Sequence, residues 1–297
     1  MKQEILNEYL AYVKDQGQVV NYIRVYQDDE LIAKYDRLQE LARLNTWSVS
    51  KSFVSAGVGI ALEEGLLTLD EKICDAFPEY VPDNADSFLL DTTVRHMLTM
   101  TTGLARPLFF ANNRERYETQ DWIRYFFNAE FDHAPGERFL YSNFNTYMLS
   151  CLIERRSGQF LADYLKPRLF DKIGILSPEW TRDPMGHCHA ANGLYVTVEE
   201  LARFGKMTLH EGVYDGTRVV SSAYLKEACS DQVPRGGDNP MYGYQFWINP
   251  DGDSFRADGK YGQYIAVLPR KGIVYAMQSL DDSVKFQDVW DCVLSRI

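Results

Sequence analysis

Apolar residues change their spacing several times along this chain, and each change marks an element. Ile5, Tyr9, Leu10 and Val13 recur at helical intervals, so the N-terminus reads as an amphipathic helix. It lacks the continuous apolar core of a secretory leader. Two strand-like runs follow, Val19–Tyr26 and Leu31–Tyr35. From Phe53 to Leu62 every residue is apolar or small, the composition of a helix buried on all sides. Residues from about 75 to 190 read as helices and loops, punctuated by Pro78, Pro82, Pro107, Pro135 and Pro184. Within them Phe144, Tyr147, Met148, Leu152 and Ile153 form one helical stripe. Thr197-Val198-Glu199-Glu200 is a capping box, opening a helix through about Leu209. Four strand-like runs come late: Tyr242–Asn249, Ser254–Ala257, Gln263–Leu268 and Ile273–Gln278. Short turns separate them, Asp251-Gly252 among these, so they predict an antiparallel meander. A last helix, Val284–Ile297, would cover one face. The periodicities define an α+β protein.

Composition adds constraints. At 297 residues, 45% of them hydrophobic, the chain is long enough to bury one large core or two lobes. A net charge of −11 disfavours nucleic acid and anionic membrane as partners. No stretch approaches the ~20 apolar residues of a membrane span. Cysteines 74, 151, 188, 229 and 292 are odd in number and widely spaced, as expected of reduced thiols. With the absent leader, they point to a cytoplasmic protein.

Chemistry first enters at Ser48-Val49-Ser50-Lys51. Positions i and i+3 share a helix face, which puts the Ser48 hydroxyl within reach of the Lys51 amine. A serine becomes a nucleophile when a neighbouring base takes its proton. A lysine is such a base only where burial lowers its pKa, and the apolar run after it offers that setting. The competing reading makes Ser48 a helix N-cap and lets Lys51 reach solvent. A second polar pair, Tyr141 and Asn143, lies on the turn entering the helix of the 144–153 stripe. A tyrosinate beside an ammonium would serve as a base, and an amide would hold the lysine. Alternatively the ring is packing and Asn143 caps the helix.

Ser48-x-x-Lys51 followed by Tyr141-x-Asn143 resembles the serine β-lactamase and penicillin-binding-protein superfamily, in particular its class C, esterase-like branch. Gly65–Asp70, Thr93–Leu104 and Asn192–Thr197 resemble further landmarks of that superfamily, in the same order, from about residue 40 to about 280. The resemblance implies a β-lactamase/DD-peptidase-like fold: an antiparallel sheet flanked by helices, a mostly helical second domain, and the site between them. Residues 1–75 and 190–297 would form the sheet domain, and 76–189 the helical one. It also implies acyl transfer through Ser48, with Lys51 and Tyr141 handling the proton and Asn143 positioning the lysine. Backbone N–H groups of Ser48 and Lys260 would hold the oxyanion. No cofactor is implied.

The third motif of that superfamily, a cation, a small residue and Gly, corresponds best to Ala257-Asp258-Gly259, with Lys260 following. Ala257 cannot supply the cation that helps bind the carboxylate of penicillin-like substrates; Arg256 and Lys260 are the nearby alternatives. A small ester or amide is therefore the expected substrate, ahead of a lactam or D-amino-acid peptide. A non-catalytic scaffold with the same fold is the remaining alternative. His187-Cys188-His189 alternates like a strand-borne metal site, but three or four ligands are needed and no partner cluster is evident, so no metal is expected and the run reads as pocket wall or surface. The aromatics Phe109, Phe110, Trp122, Tyr125, Phe126, Phe127 and Trp180 read mainly as core, with one or two bordering a substrate cleft.

Overall fold

A computed structural model describes residues 2–109, 114–234, 236 and 238–297. Phe110 lies outside the described residues. Among these residues, six strands form one antiparallel sheet: β1 (Val20–Gln27), β2 (Glu30–Asp36), β3 (Trp247–Ile248), β4 (Phe255–Gly259), β5 (Gln263–Leu268) and β6 (Ile273–Ser279), in the order β2-β1-β6-β5-β4-β3. The meander is thus closed by the N-terminal hairpin, with Ile23 opposite Met277 and Val25 opposite Tyr275.

Period-two alternation sends each sheet face to its own core. Tyr264, Ala266, Tyr275 and Met277 pack with Leu6, Tyr9 and Val13 of α1 (Lys2–Asp15) and with Val289, Val293 and Leu294 of the C-terminal segment. Ile265, Val267, Val274 and Ala276 point the other way, onto helices α2 (Ser50–Glu63) and α4 (Val198–Leu209). Gly205 lets α4 lie close to the sheet, since a Cβ there would sit 2.5 Å from Val274 and 2.9 Å from Ile265. The same buried cluster continues through Phe144, Met148 and Leu152 of α3 (Asn143–Ser157). No helix among the described residues is long and apolar enough to cross a membrane.

The capping box forms as its spacing predicts: Thr197 accepts from the Glu200 N–H, and the Glu200 carboxylate accepts from the Thr197 N–H at 2.8 Å. Two expectations need correction. The run 242–249 is mostly not a strand, because its backbone groups bond elsewhere. Tyr244 N donates to Ala228 O and Gln245 N to Leu98 O, while Gln245 itself turns left-handed, and only Trp247–Ile248 joins the sheet. The predicted helix over 284–297 is a short α-turn, Phe286–Val289, that widens into a π-helical turn over Trp290–Leu294.

Candidate active site

Ser48 sits in a single 3-10 turn, Trp47–Val49, immediately before α2. Thr46 N donates to Leu194 O, and Asn45 Oδ1 accepts from both Trp47 N and Gly193 N, so the turn is tied to the 193–194 segment. Trp47 adopts φ +49°, a left-handed conformation that costs a non-glycine residue about 1–2 kcal/mol. Its ring lies 4.9 Å from that of Tyr261, which is itself at φ +63°. Ser48 is not a helix cap: Val49 holds that position and makes no side-chain cap bond.

Lys51, one residue into α2, is 1% exposed and does not reach solvent. Its Nζ lies 2.9 Å from Ser48 Oγ, 2.8 Å from Asn143 Oδ1 and 2.9 Å from Ala191 O. The last two atoms only accept. In its neutral form the amine would donate its two hydrogens to them and turn its lone pair to the Ser48 hydroxyl; as an ammonium it would donate to all three. Burial lowers the Lys51 pKa well below its ordinary value, which favours that neutral form.

Asn143 is free for this because Ser142 caps α3, accepting from Phe144 N through its hydroxyl. Asn143 Nδ2 donates to Phe109 O at 2.7 Å, which fixes which way the amide faces. Tyr141 stands beside the lysine, its ring centre 4.9 Å from Nζ. Burial raises its phenol above the ordinary value, a hydrogen bond with Ser48 opposes the rise, and the Asp258 charge adds to it. Both shifts favour the uncharged forms, a phenol and an amine, over the tyrosinate–ammonium pair considered from the sequence.

Strand β4 brings the third segment to the same place. A Cβ at Gly259 would meet Thr46 O at 2.4 Å and Val49 Cγ2 at 3.2 Å, so only glycine lets the strand end abut the Ser48 turn. Lys260 follows it and lines the same cleft as Ser48. Ala257 is buried in the helix-side core, with no cation at that position. Arg256 is engaged by Asp258 Oδ2 at 2.9 Å and Asn249 Oδ1 at 3.2 Å, its guanidinium over the Phe286 ring. Of the two alternatives to the missing cation, Lys260 lines the cleft and Arg256 is bonded within its own sheet edge. Gly259→Ala will cost about 1–3 kcal/mol of stability, the range for overpacking against atoms that cannot yield. Thermal denaturation checks this; an unshifted midpoint would show that the strand end moves freely.

The cleft measures about 1070 Å³, and Trp122 alone of the named aromatics lines it among the described residues. Phe109, Phe126 and Phe127 are core. The His187-Cys188-His189 run divides. His187 Nδ1 pairs with Glu154 Oε2 at 2.6 Å, Cys188 is buried, and His189 faces the cleft. Cys151, Glu154 and His187 bring donor atoms within 4.8 Å of one another, a cluster invisible in the sequence. Glu154 there also accepts from the N–H groups of Leu161 and Cys188, as a carboxylate bracing a loop does.

Two groups at the site escaped sequence reasoning, the Ala191 carbonyl and Arg116. The Ala191 carbonyl is backbone, delivered by a chain that turns left-handed at Ala190 (φ +63°). Arg116 lines the cleft but stands in no motif. His189, read from the sequence as pocket wall or surface rather than metal ligand, lines the cleft.

The chain belongs to the beta-lactamase family, whose sequence profile matches residues 7–288. It is 26% identical over 278 residues to 6-aminohexanoate-dimer hydrolase of Paenarthrobacter ureafaciens, covering 83% of this chain and 69% of that protein. Among solved structures, a class C β-lactamase superposes with a TM-score of 0.76 at 13% identity, over 99% of this chain and 96% of that one. A family VIII carboxylesterase gives 0.74 at 15% identity, over 100% and 98%.

Proposed function

We propose that this protein is a serine hydrolase that cleaves small esters or amides through an acyl-enzyme. The observation that carries the reading is the setting of Lys51: a buried amine, held by two acceptor-only atoms, 2.9 Å from a serine hydroxyl. As Ser48 Oγ adds to the carbonyl carbon, its proton passes to the Lys51 amine. The carbonyl oxygen takes the negative charge between the N–H groups of Ser48 and Lys260, each worth about 2.7–4 kcal/mol if preorganised. The proton then passes through Tyr141 to the departing alkoxide or amine as the carbon–leaving-group bond breaks. Water repeats the sequence in reverse and frees Ser48.

An ester or amide is preferred to a lactam because Ala257 offers no cation at the third motif's first position and Arg256 is held by Asp258, which leaves Lys260, three residues on, as the nearby cation in the cleft. The relative named for hydrolysis of 6-aminohexanoate dimer and the structural neighbour named a carboxylesterase support the same substrate range. Intact mass after exposure to a fluorophosphonate probe tests the reading. One adduct is expected on the wild-type protein and none on Ser48→Ala. A folded wild-type protein that takes no adduct would move the assignment to a binding or scaffold role.

A further inference from the structure

His189 is 5% exposed, lines the cleft beside Ser48, and has no hydrogen-bond partner at either ring nitrogen. A buried imidazole without partners is destabilising, and such a group in a native fold requires an explanation. Packing explains the ring, which meets Trp122 edge-on at 5.4 Å, but not the nitrogens. Burial, reinforced by the Arg116 charge, pushes its pKa down to about 3. The imidazole is thus neutral, with one N–H to donate and one nitrogen to accept.

Arg116 lines the same cleft and has no carboxylate partner among the described residues. Its guanidinium rests over the neighbouring Tyr117 ring at 4.9 Å. The acid lining the cleft among the described residues, Asp183, is fully engaged. Its Oδ2 accepts from Tyr147 OH at 2.6 Å, and its Oδ1 from the N–H groups of Met185 and His187. A substrate ammonium therefore meets no free carboxylate here, whereas an anion meets the Arg116 guanidinium, with the unpartnered His189 imidazole in the same lining. A single planar guanidinium fork suits a carboxylate. The charged residues that line the cleft, Arg116, Arg182 and Lys260 against Asp183, are cationic in sum, although the chain carries −11 overall.

We propose that the cleft selects substrates bearing a carboxylate, which Arg116 and His189 bind on a wall separate from the third motif. The bond that is then cut rests on the serine-hydrolase reading; the binding does not. His189 and Arg116 are positioning groups here, and Ser48 and Lys51 remain responsible for the chemistry.

Binding to the Ser48→Ala protein separates the two claims. Calorimetry would compare two matched pairs: glutaric acid mono-4-nitroanilide with pentanoyl 4-nitroanilide, and N-benzoylglycine with its methylamide. The first pair places the carboxylate on the acyl half, the second on the amine half. At least tenfold tighter binding of the charged member is expected in one pair. Arg116→Gln should remove about tenfold from that member and less than twofold from its neutral counterpart. His189→Leu should act in the same direction, with His189→Asn restoring part of the preference. Equal affinities in both pairs, or variants that weaken charged and neutral ligands alike, would overturn the proposal. A failed fluorophosphonate reaction would instead remove the hydrolase reading and leave this ratio standing.

Discussion

Lys51→Met will lower kcat for a 4-nitrophenyl ester about 1,000-fold while leaving a cooperatively folding protein. A positioned general base contributes about 10²–10⁴-fold. This one has its proton donor at 2.9 Å and its own two hydrogens committed to Asn143 and Ala191. Methionine keeps the length and the apolar stem but has no nitrogen. The variant leaves Asn143 Oδ1 and Ala191 O without a donor, a cost of about 1–3 kcal/mol. It also ends the burial of an amine, which offsets part of that cost. Combining it with Ser48→Ala should lose little more than Ser48→Ala alone, since the two side chains act as one unit. Unchanged turnover in Lys51→Met would sink the assignment of the base.

The same residue sets the pH dependence. Only the neutral amine accepts the Ser48 proton, so kcat/KM should rise with pH through the lowered Lys51 pKa and level off before the ordinary lysine value. Stability shares that sign. Between the lowered folded pKa and the unfolded value, the unfolded chain binds one more proton than the folded chain. Stability therefore rises with pH across this window, by up to about 1.4 kcal/mol per pH unit for the single group. Urea titrations of wild type and Lys51→Met across that window isolate the slope. Parallel curves would mean that the folded lysine keeps its charge.

What could be read from the sequence follows from how local each signal is. Ser48 and Lys51 stand three residues apart before an apolar run, so their proximity and the burial of the lysine are both encoded within one short segment. The Thr197 capping box and the Gln263–Leu268 strand are equally local, and both form at the expected residues. The fate of Tyr242–Asn249 depended on distant carbonyls, those of Ala228 and Leu98, which took the backbone donors a ladder needs. Alternating aromatics carry no trace of that competition. The third partner of Lys51 is a main-chain oxygen 140 residues away, and no residue type announces a carbonyl. Tyr141 was legible as a participant, but its protonation state was not. That depends on how completely Ser48, Lys51 and the third segment exclude water from one place.

Tyr141→Phe will lower kcat about 100-fold on a 4-nitrophenyl ester, and by more on the corresponding anilide, with ligand affinity unchanged. The ring stacks on Trp247 at 5.7 Å and meets Tyr242 edge-on at 6.4 Å, and phenylalanine preserves both contacts. What disappears is the hydroxyl that bonds Ser48, while the ring keeps its place 4.9 Å from the lysine nitrogen. Burial keeps that hydroxyl protonated at rest, so in the proposed mechanism it acts as donor and relay and leaves the role of first base to Lys51. A 4-nitrophenolate leaves without a proton at neutral pH, whereas an amine does not. The relay therefore matters most where the leaving group is poor, and the ratio of ester to anilide turnover should widen in the variant. A deficit equal on both substrates would place Tyr141 in the addition step alone. No deficit at all would make it a packing residue between Trp247 and Tyr242.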